Sequence, residues 1–456
     1  MAARQLSQIA KNLLNTAAQA PIEAALLDVR GRWTDQRWLS KSNRYRRNYT
    51  KRLRSDALHP HMLRHADLRE YIAASVLTHC ADGWSYLGRA FHAHLRGDRD
   101  CCRHLAYYAE LRAAMGVLAS GGIGVFNDRH VVVDARGRCH VVKGLGTHDF
   151  TWQALQHWGS TGAARDLVLA AISPGGIPLR DWLSAFAVLP GGQTALTTNW
   201  LVTWGLDLKR FSEDRDARNE SSYRPTAFLS PGAPALTDAL RFVTEFWQLN
   251  DPSGVLAFAS LDRHLLRESI AVAFRSMHGR NRTVLQARQQ FKHCVRSMLG
   301  NLGFAPVGLP VDEWQTFLSY EADNQPRLLI EDARSHARAL HLDHPRQVMA
   351  RAALLLRVAS GVARSGLRSL PNVNAADLAF WWSAFGEGRC LWDCGDRPQD
   401  FFDLWADVAD ALQDVEAWRA GLGDQQPSYA LLWREQPGSA ACLESCERVA
   451  LWGFGL

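Results

Sequence analysis

The stretch from His104 to Val133 constrains the fold more than any other part of the sequence, because it combines an amphipathic helix, a glycine stop and the start of a hairpin. Helical spacing places one set of side chains on one face: His104, Tyr107, Tyr108, Leu111, Met115 and Leu118. A second face carries small residues that would let another helix approach closely: Ala106, Ala109, Ala113 and Gly116. Gly121 and Gly122 then end the helix, since glycine adopts the left-handed conformation without a Cβ clash. The segment is predicted to be the central helix of a bundle.

The segment before it predicts an antiparallel partner helix from about Leu68 to Arg96. Apolar residues recur there every three or four positions: Ile72, Val76, Cys80, Trp84, Leu87, Phe91 and Leu95. Residues 96–99 form the turn between the two helices. Farther on, β-branched runs flank residues 135–138 and predict a β-hairpin over about 130–142. Two strands are not stable alone, so the hairpin must pack on the helices.

The rest of the chain predicts further helices, so the fold class is mainly α: a helical bundle with a small inserted β-hairpin, followed by a helical C-terminal region. The length of 456 residues exceeds what one core usually holds. We therefore predict a basic N-terminal helical arm at 1–65, the bundle at 66–230 and an α-helical C-terminal domain at 235–456. The polar residues 209–234 are interpreted as a surface loop or a site.

Composition limits the classes of protein to which the chain can belong. The net charge of +6 mildly favours an anionic partner. Nine cysteines without a disulfide pattern favour a reducing cytosol, and a cytoplasmic location is predicted. Polar residues throughout the N-terminal amphipathic helix argue against a signal peptide. The longest uncharged run, residues 182–206, is broken by Pro190-Gly191-Gly192, so no membrane partner is predicted.

Residues 32–54 are the most basic part of the chain, with no acid between Asp35 and Asp56. Tyr45 and Tyr49 interleave with the cations. Such a mixture can contact phosphates and stack on bases. The predicted nucleic-acid contacts are Arg44, Arg46, Arg47, Lys51, Arg52 and Arg54. The alternative is a solvated arm, or a face that pairs with acids elsewhere in the fold.

Familiar cofactor and catalytic motifs are missing from the sequence. There is no HExxH, no GxGxxG or Walker spacing, and no nucleophile elbow. Two CxxxC pairs, Cys390/Cys394 and Cys442/Cys446, lack the usual zinc spacing and are interpreted mainly as small buried residues. We therefore predict no cofactor and no metal site.

The segment from Arg218 to Tyr223 is the strongest candidate for chemistry. An arginine and a second polar side chain beside a helical bundle can converge on one phosphate, and arginine would stabilise the charge on phosphorus. A general base or acid would handle the ribose 2′-hydroxyl, and histidine suits that task better than tyrosine because its pKa lies near neutrality. The alternative is a capping turn, in which asparagine and serine side chains hold the backbone.

Three stretches, HCADGWSYLGRAF, HLAYYAELRAAMGVLASGGIGVF and RNESSYRP, resemble the HEPN superfamily, with the YaaC-like branch as the nearest type. These helical-bundle proteins are common in prokaryotic toxin–antitoxin and antiviral defence systems. The similarity covers about residues 66–225. It implies a metal-independent ribonuclease at a dimer interface, with Arg218 stabilising the phosphate. Tyr223 stands where the family's arginine–x4–histidine motif has its histidine.

From the resemblance the candidate catalytic residues are Arg218, Asn219, Tyr223, His104 and His79, the two histidines as substitutes for the missing one. We expect an HEPN-like protein that acts on RNA, either cutting or holding it, and that forms a homodimer. The alternative is a non-catalytic adaptor or nucleic-acid-binding subunit of a defence system, whose tryptophan-rich C-terminal half binds an operon-encoded protein partner.

Overall fold

The computed structural model describes residues 5–187, 208–223, 232, 234–252, 256–278, 284–302, 306–320, 328–335 and 343–455. The fold is mainly α, as the sequence predicted. Most of the uncharged run at 182–206, including Pro190-Gly191-Gly192, lies outside the described residues. In the part that is described, no helix is both long enough and apolar enough to cross a membrane.

The helices of the described part are numbered here in chain order. They are α1 (Gln8–Leu14), α2 (Ala20–Arg30), α3 (Tyr49–Asp56), α4 (His65–His94), α5 (Arg99–Ser120), α6 (Thr147–Gly159), α7 (Gly162–Ala171), α8 (Leu179–Ala187), α9 (Leu208–Tyr223), α10 (Leu236–Leu249), α11 (Ala259–His278), α12 (Val284–Asn301), α13 (Val311–Leu318), α14 (Leu328–Arg334), α15 (His344–Arg368), α16 (Ala379–Gly386), α17 (Leu404–Gly421), α18 (Tyr429–Glu435), α19 (Pro437–Glu444) and α20 (Glu447–Phe454).

The predicted antiparallel pair is present as α4 and α5, and α5 packs on four other helices besides: α2, α6, α9 and α15. Small residues allow the close approach that the sequence indicated. A Cβ added at Gly83 of α4 would lie 2.6 Å from Leu356 Cδ2 of α15. A Cβ at Gly116 of α5 would lie 3.5 Å from the Val76 carbonyl oxygen of α4. The central position of α5 thus follows from glycines and alanines on one face and bulky side chains on the other.

The inserted β structure has three strands, one more than the predicted hairpin. β1 (Ile123–Gly124), β2 (Arg129–Val133) and β3 (Cys139–Lys143) form an antiparallel sheet in that order. Ile123 pairs with Val132, so the chain enters the sheet directly after the glycines that end α5. Gly122 has φ +87°, and a Cβ there would lie 2.6 Å from the Ala18 carbonyl oxygen. This glycine therefore serves both the helix end and the close contact with the N-terminal segment.

One buried cluster extends through all three predicted ranges. α2 packs on α4, and α15 packs along both α4 and α5, although it comes from the C-terminal range. Leu26, Leu87 and Leu355 all belong to the same cluster. Packing therefore does not divide the chain at residues 65 and 235.

The polar segment interpreted as a surface loop or a site forms a helix over Leu208–Tyr223, so the loop interpretation was wrong for these residues. Its inward positions include Asp214 and Arg218, both almost fully buried, next to Phe211 and Ala217. A helix whose buried face is half polar has no apolar stripe, so hydrophobic periodicity does not reveal it.

The tryptophans act as packing anchors. Seven are fully buried among the described residues: Trp84, Trp158, Trp182, Trp247, Trp314, Trp382 and Trp452. None within the described ranges is exposed, and residues 200 and 204 lie outside those ranges. The tryptophans described in the C-terminal half thus supply core contacts, not the exposed partner surface on which the adaptor alternative relied.

Candidate active site

Helix α9 is held against α5 and α6 by contacts repeated at each turn. Phe211 stacks on Trp152 of α6, with ring centroids 4.3 Å apart and an interplanar angle of 5°. One turn later, Arg215 pairs with Asp149 at the start of α6. In the last turn, the Ser221 hydroxyl accepts a hydrogen bond from an N–H of Arg103. These contacts fix the helix on which Arg218 sits.

Arg218 lies over two tyrosine rings of α5. Its guanidinium carbon is 5.3 Å from the ring centroid of Tyr107 and 5.5 Å from that of Tyr108. The residue is only 8% exposed, and its enclosed Nε–H has no hydrogen-bond partner in the described structure. No carboxylate of the described residues pairs with it. A buried arginine of this kind has its charge and donors available for an anion.

His104 lies on one side of this arginine, one turn before Tyr108, and its ring centroid is 5.1 Å from that of Tyr108. The Ser222 hydroxyl donates to the Arg218 carbonyl oxygen at 2.9 Å, so it must accept from His104, whose Nδ1 is 2.9 Å away. We assign the proton of neutral His104 to Nδ1 on this basis. Its Nε2 then carries a free lone pair, which is the form that a general base needs.

His148 lies on the other side and has the opposite tautomer. Its Nδ1 is 2.8 Å from the Tyr107 hydroxyl, and the two rings stack with centroids 5.6 Å apart. Because Trp152 Nε1 donates to that hydroxyl at 3.2 Å, the phenol proton is directed to His148 Nδ1. Neutral His148 therefore carries its proton on Nε2 and can donate a hydrogen bond there.

Burial and the nearby cation keep both imidazoles neutral. Burial lowers the pKa of His104, and the positive charge of Arg218 lowers it further. Burial also lowers the pKa of His148, as do the charges of Arg218 and Arg215. Two neutral imidazoles of opposite tautomer, beside a buried guanidinium, form the Arg218 cluster: Arg218, His104, His148, Tyr107 and Tyr108.

A buried ionic network lies behind the cluster. Arg351 of α15 makes a two-pronged contact with Asp214 of α9, with distances of 2.7 and 3.0 Å. His344 Nε2 is 3.2 Å from the same carboxylate, and Glu110 of α5 is 3.5 Å from Arg351. Burial tends to raise the pKa of Asp214, but Arg351 and His344 outweigh it and hold that pKa below its usual range. Arg351 is therefore the one arginine near two buried carboxyl groups, and its hydrogen bonds go to Asp214.

Glu110 is the carboxyl group of this network that receives no hydrogen bond from Arg351. Burial, and then the charge of Asp214, raise its pKa well above the ordinary value, although Arg351 opposes the shift. Neither carboxyl oxygen has a hydrogen-bond partner in the described structure. Burial therefore extends the pH range over which Glu110 is neutral beyond that of an exposed glutamate.

This raised pKa predicts that Glu110→Gln becomes more stabilising as the pH rises. The folded pKa lies above the unfolded one of about 4.3, so the stability due to the neutral carboxyl is complete below about pH 4.3. It is lost as the pH rises toward the folded pKa, at up to about 1.4 kcal/mol per pH unit. Gln is neutral throughout and avoids this loss. Urea unfolding of the wild type and Glu110→Gln at pH 5 and pH 8 measures this effect. If the two proteins differed in unfolding free energy by the same amount at both pH values, the raised pKa of Glu110 would be contradicted.

Three predicted catalytic residues do not join the Arg218 cluster. Tyr223 is 82% exposed, because five residues along a helix place it about 140° around the axis from Arg218. Asn219 is half-buried beside Arg218, with no hydrogen bond to the cluster. His79 of α4 bonds Arg112, and burial lowers its pKa to about 3. Of the two proposed substitutes for the missing histidine, only His104 is adjacent to Arg218.

His148 was missed by sequence reasoning. It lies at the start of α6, directly after Thr147, in a helix whose N-cap is Gly146. With 17 histidines in the chain, no local pattern distinguishes it. Only its contact with Tyr107, 41 positions earlier, brings it to the arginine.

The basic segment divides into structural and free cations. Arg44 is bound in a two-pronged pair to the buried Asp56, which also accepts from the buried Tyr45. Arg44 therefore supports the fold, and Tyr45 is not available to stack on bases. Arg54 forms a surface pair with Asp128 at 3.0 Å. The remaining four are exposed and make no ion pair with a described carboxylate: Arg46, Arg47, Lys51 and Arg52.

A short chain of contacts joins the basic helix α3 to the Arg218 cluster. Arg54 contacts Asp128, and the carbonyl oxygen of the preceding Asn127 accepts from the Thr147 hydroxyl at 3.3 Å. Thr147 is the neighbour of His148 in sequence. Helix α3 is thus linked to the start of α6, the helix that carries His148, through the 127–128 loop.

The described residues contain no group of three or more histidine, cysteine or acidic side chains that could hold a metal ion. Cys390 has φ +55° and, like Cys394, lies outside the helices, so the two do not share a helical face.

In comparisons with known proteins, no family model, no curated protein and no solved structure matches the chain.

Proposed function

We propose that the protein cleaves RNA by transferring the phosphate to the adjacent ribose 2′-hydroxyl at the Arg218 cluster. The observation that carries the proposal is the buried guanidinium of Arg218, which pairs with no described carboxylate and lies near the imidazoles of His104 and His148. His104 Nε2 would accept the proton of the 2′-hydroxyl as that oxygen attacks phosphorus. Arg218 would stabilise the charge that develops on the phosphate oxygens. His148 Nε2–H would donate a hydrogen bond to the phosphate. The departing 5′-oxygen would take a proton from water, and His104 would return its proton to the solvent, so that the protons balance.

The groups in the cluster fit this reaction class better than water-based hydrolysis. Imidazoles act on hydroxyl protons near neutral pH, and the 2′-hydroxyl supplies the nucleophile from within the substrate. The guanidinium of Arg218 lies over the rings of Tyr107 and Tyr108, which stabilise it through cation–π contacts. Because these contacts involve no carboxylate, its charge stays available to the phosphate. The homodimer, the operon-encoded partner and the defence role implied by the family resemblance stay predictions.

The direct test is to incubate end-labelled RNA with purified protein in excess EDTA and to identify the product ends. We expect 2′,3′-cyclic phosphate and 5′-hydroxyl ends. The matched control is the same oligonucleotide with 2′-deoxyribose at every position, which must stay intact because it lacks the nucleophile. Cleavage of the deoxy oligonucleotide, or no cleavage of RNA under any condition, would refute the mechanism.

The pH profile of cleavage is expected to follow His104. The base must be unprotonated, and burial and Arg218 lower its pKa. The rate should therefore fall as the pH falls, with a midpoint below the ordinary histidine value of about 6.5. Ser222→Ala removes the acceptor that fixes the tautomer and should shift or broaden this profile. A midpoint above 7 would rule out His104 as the base.

The exposed cations of the basic segment, Arg46, Arg47, Lys51 and Arg52, are expected to provide much of the affinity for RNA. Reversing Arg46, Arg47 and Arg52 to glutamate should weaken binding. It should also flatten the plot of log affinity against log salt, by about 0.7 for each phosphate of single-stranded RNA that the protein no longer neutralises. The control reverses three exposed arginines elsewhere: Arg296, Arg419 and Arg434. Filter binding at several salt concentrations measures the affinity and its salt dependence. If the variant and the wild type had equal slopes of log affinity against log salt, the basic segment would not be part of the RNA interface.

A further inference from the structure

A second cluster of arginines surrounds a cavity of about 370 Å³ between α7, the start of α11 and the C-terminal half of α15. Three arginines of α15 line it, at positions 357, 364 and 368. The spacings of seven and four residues place all three on one side of the helix. The cavity lies on a different stretch of α15 from Arg351, which serves the network behind the Arg218 cluster.

Arg357 forms the closed end of this cavity. It is 3% exposed and makes a two-pronged pair with Asp262, at 2.6 and 2.7 Å. It also donates to the Ala171 carbonyl oxygen at 3.2 Å and covers the ring of Phe258 at 4.3 Å. Its third nitrogen, Nη1, is buried without a hydrogen-bond partner in the described structure. A buried N–H donor rarely lacks a hydrogen-bond acceptor, so an atom of this kind is a candidate contact for a ligand.

Arg364 and Arg368 give the cavity an excess of positive charge. Neither makes an ion pair with a carboxylate of the described residues, and the enclosed Nε of Arg364 has no hydrogen-bond partner. Asp262 is the only acid that lines the cavity, and it is bound to Arg357. Burial lowers the pKa of Arg364 to about 10, and the charges of Arg368 and Arg357 add to this effect. An anion would relieve the repulsion between these guanidinium groups.

The remaining walls indicate which anion fits. Ser173 and Ser365 supply hydroxyl groups, while Leu256 and Phe258 supply apolar surface. The volume lies at the lower end of the range for small-molecule sites, about 300–1,000 Å³. It exceeds the space that a bare phosphate needs, since one water occupies about 30 Å³ of liquid.

We propose that this cavity binds a small organic phosphate of nucleotide size, with its phosphate on Arg364 and Arg368 and its organic part against Leu256 and Phe258. Two guanidinium groups match the two charges and the planar oxygen pairs of a phosphate monoester. The site is independent of RNA cleavage and would be present even if the Arg218 cluster had no catalytic role.

The proposal is tested by titrating the full chain separately with the four nucleoside 5′-monophosphates, the matching nucleosides and inorganic phosphate, using calorimetry and thermal shift. At least one nucleotide should bind at least tenfold more tightly than its nucleoside and than inorganic phosphate. Arg364→Gln and Arg368→Gln should each weaken that binding about tenfold or more. Arg419→Gln, at an exposed position on α17, should not change it.

Arg368 is exposed, so its substitution should leave the fold intact and keeps the test valid if Arg364→Gln unfolds the protein. The proposal is overturned if no nucleotide binds, or if binding does not change in the two variants. It is also overturned if inorganic phosphate binds as tightly as every nucleotide, because the apolar walls would then have no role.

Discussion

Replacing Arg218 with alanine is expected to lower the rate of RNA cleavage by a factor of about 10³ to 10⁵, the range measured for arginines that stabilise phosphoryl transition states. The reason is that Arg218 supplies the cation of the cluster, and the surrounding groups are neutral imidazoles and phenols. The substitution removes a charge that no described carboxylate pairs with, so it leaves no orphaned partner behind. The fold should therefore survive, which thermal unfolding can check.

Arg218→Lys is the informative companion variant. Lysine retains the charge but not the fork of donors, and it is a poorer partner for the two tyrosine rings. We expect cleavage between that of the wild type and that of Arg218→Ala. Asp216→Ala, at an exposed position on the same helix, serves as the control and should cleave normally. Cleavage by Arg218→Ala within tenfold of the wild type would show that the phosphate is bound elsewhere.

Replacing Arg351 with methionine is expected to reduce the free energy of unfolding by about 3–5 kcal/mol at pH 7, the range for breaking a buried ion pair by removing one partner. Methionine fills much of the space, but Asp214 loses its two-pronged cation while only 2% of its side chain is exposed. Glu110 loses the same neighbour. Of the contacts described above, only the one with His344 would then remain to Asp214.

The pH dependence of this loss has a definite sign. In the wild type, the folded pKa of Asp214 is held down, so its contribution to stability is present above the unfolded pKa of about 3.9 and is lost as the pH falls through the folded value. Arg351→Met removes that contribution. Without that cation, burial raises the folded pKa of Asp214, so the variant also loses stability as the pH rises above about 3.9. The difference in unfolding free energy between the two proteins should therefore be largest near neutral pH and smaller near pH 4.

Arg434→Met is the matched control for this experiment. Arg434 pairs with Glu435, but its side chain is 71% exposed, and solvent screens such exposed pairs so that they contribute little to stability. Urea unfolding of the three proteins at pH 4 and pH 7 makes the comparison. A loss below about 1 kcal/mol for Arg351→Met would mean that the network does not hold α9 against α5 and α15.

The sequence by itself determined the central pair of helices and the aromatic face of α5. Tyr107 and Tyr108 lie where helical spacing predicted, and Gly122 has the left-handed conformation expected at the end of the helix. These features depend on interactions between residues three or four positions apart, which a local pattern records completely. Arg218, which the sequence singled out, lies over Tyr107 and Tyr108 of α5, and its role in catalysis stays a proposal.

Only the tertiary structure decided that residues 208–223 form a helix and that His148 joins His104 beside Arg218. The inward face of α9 is stabilised by partners from distant parts of the chain: Asp214 and Arg351 are 137 positions apart. A polar side chain favours burial only when its partner is present, so its position cannot be derived from its neighbours in sequence. Apolar burial leaves a periodic signature in the sequence, whereas pairing between distant charges does not.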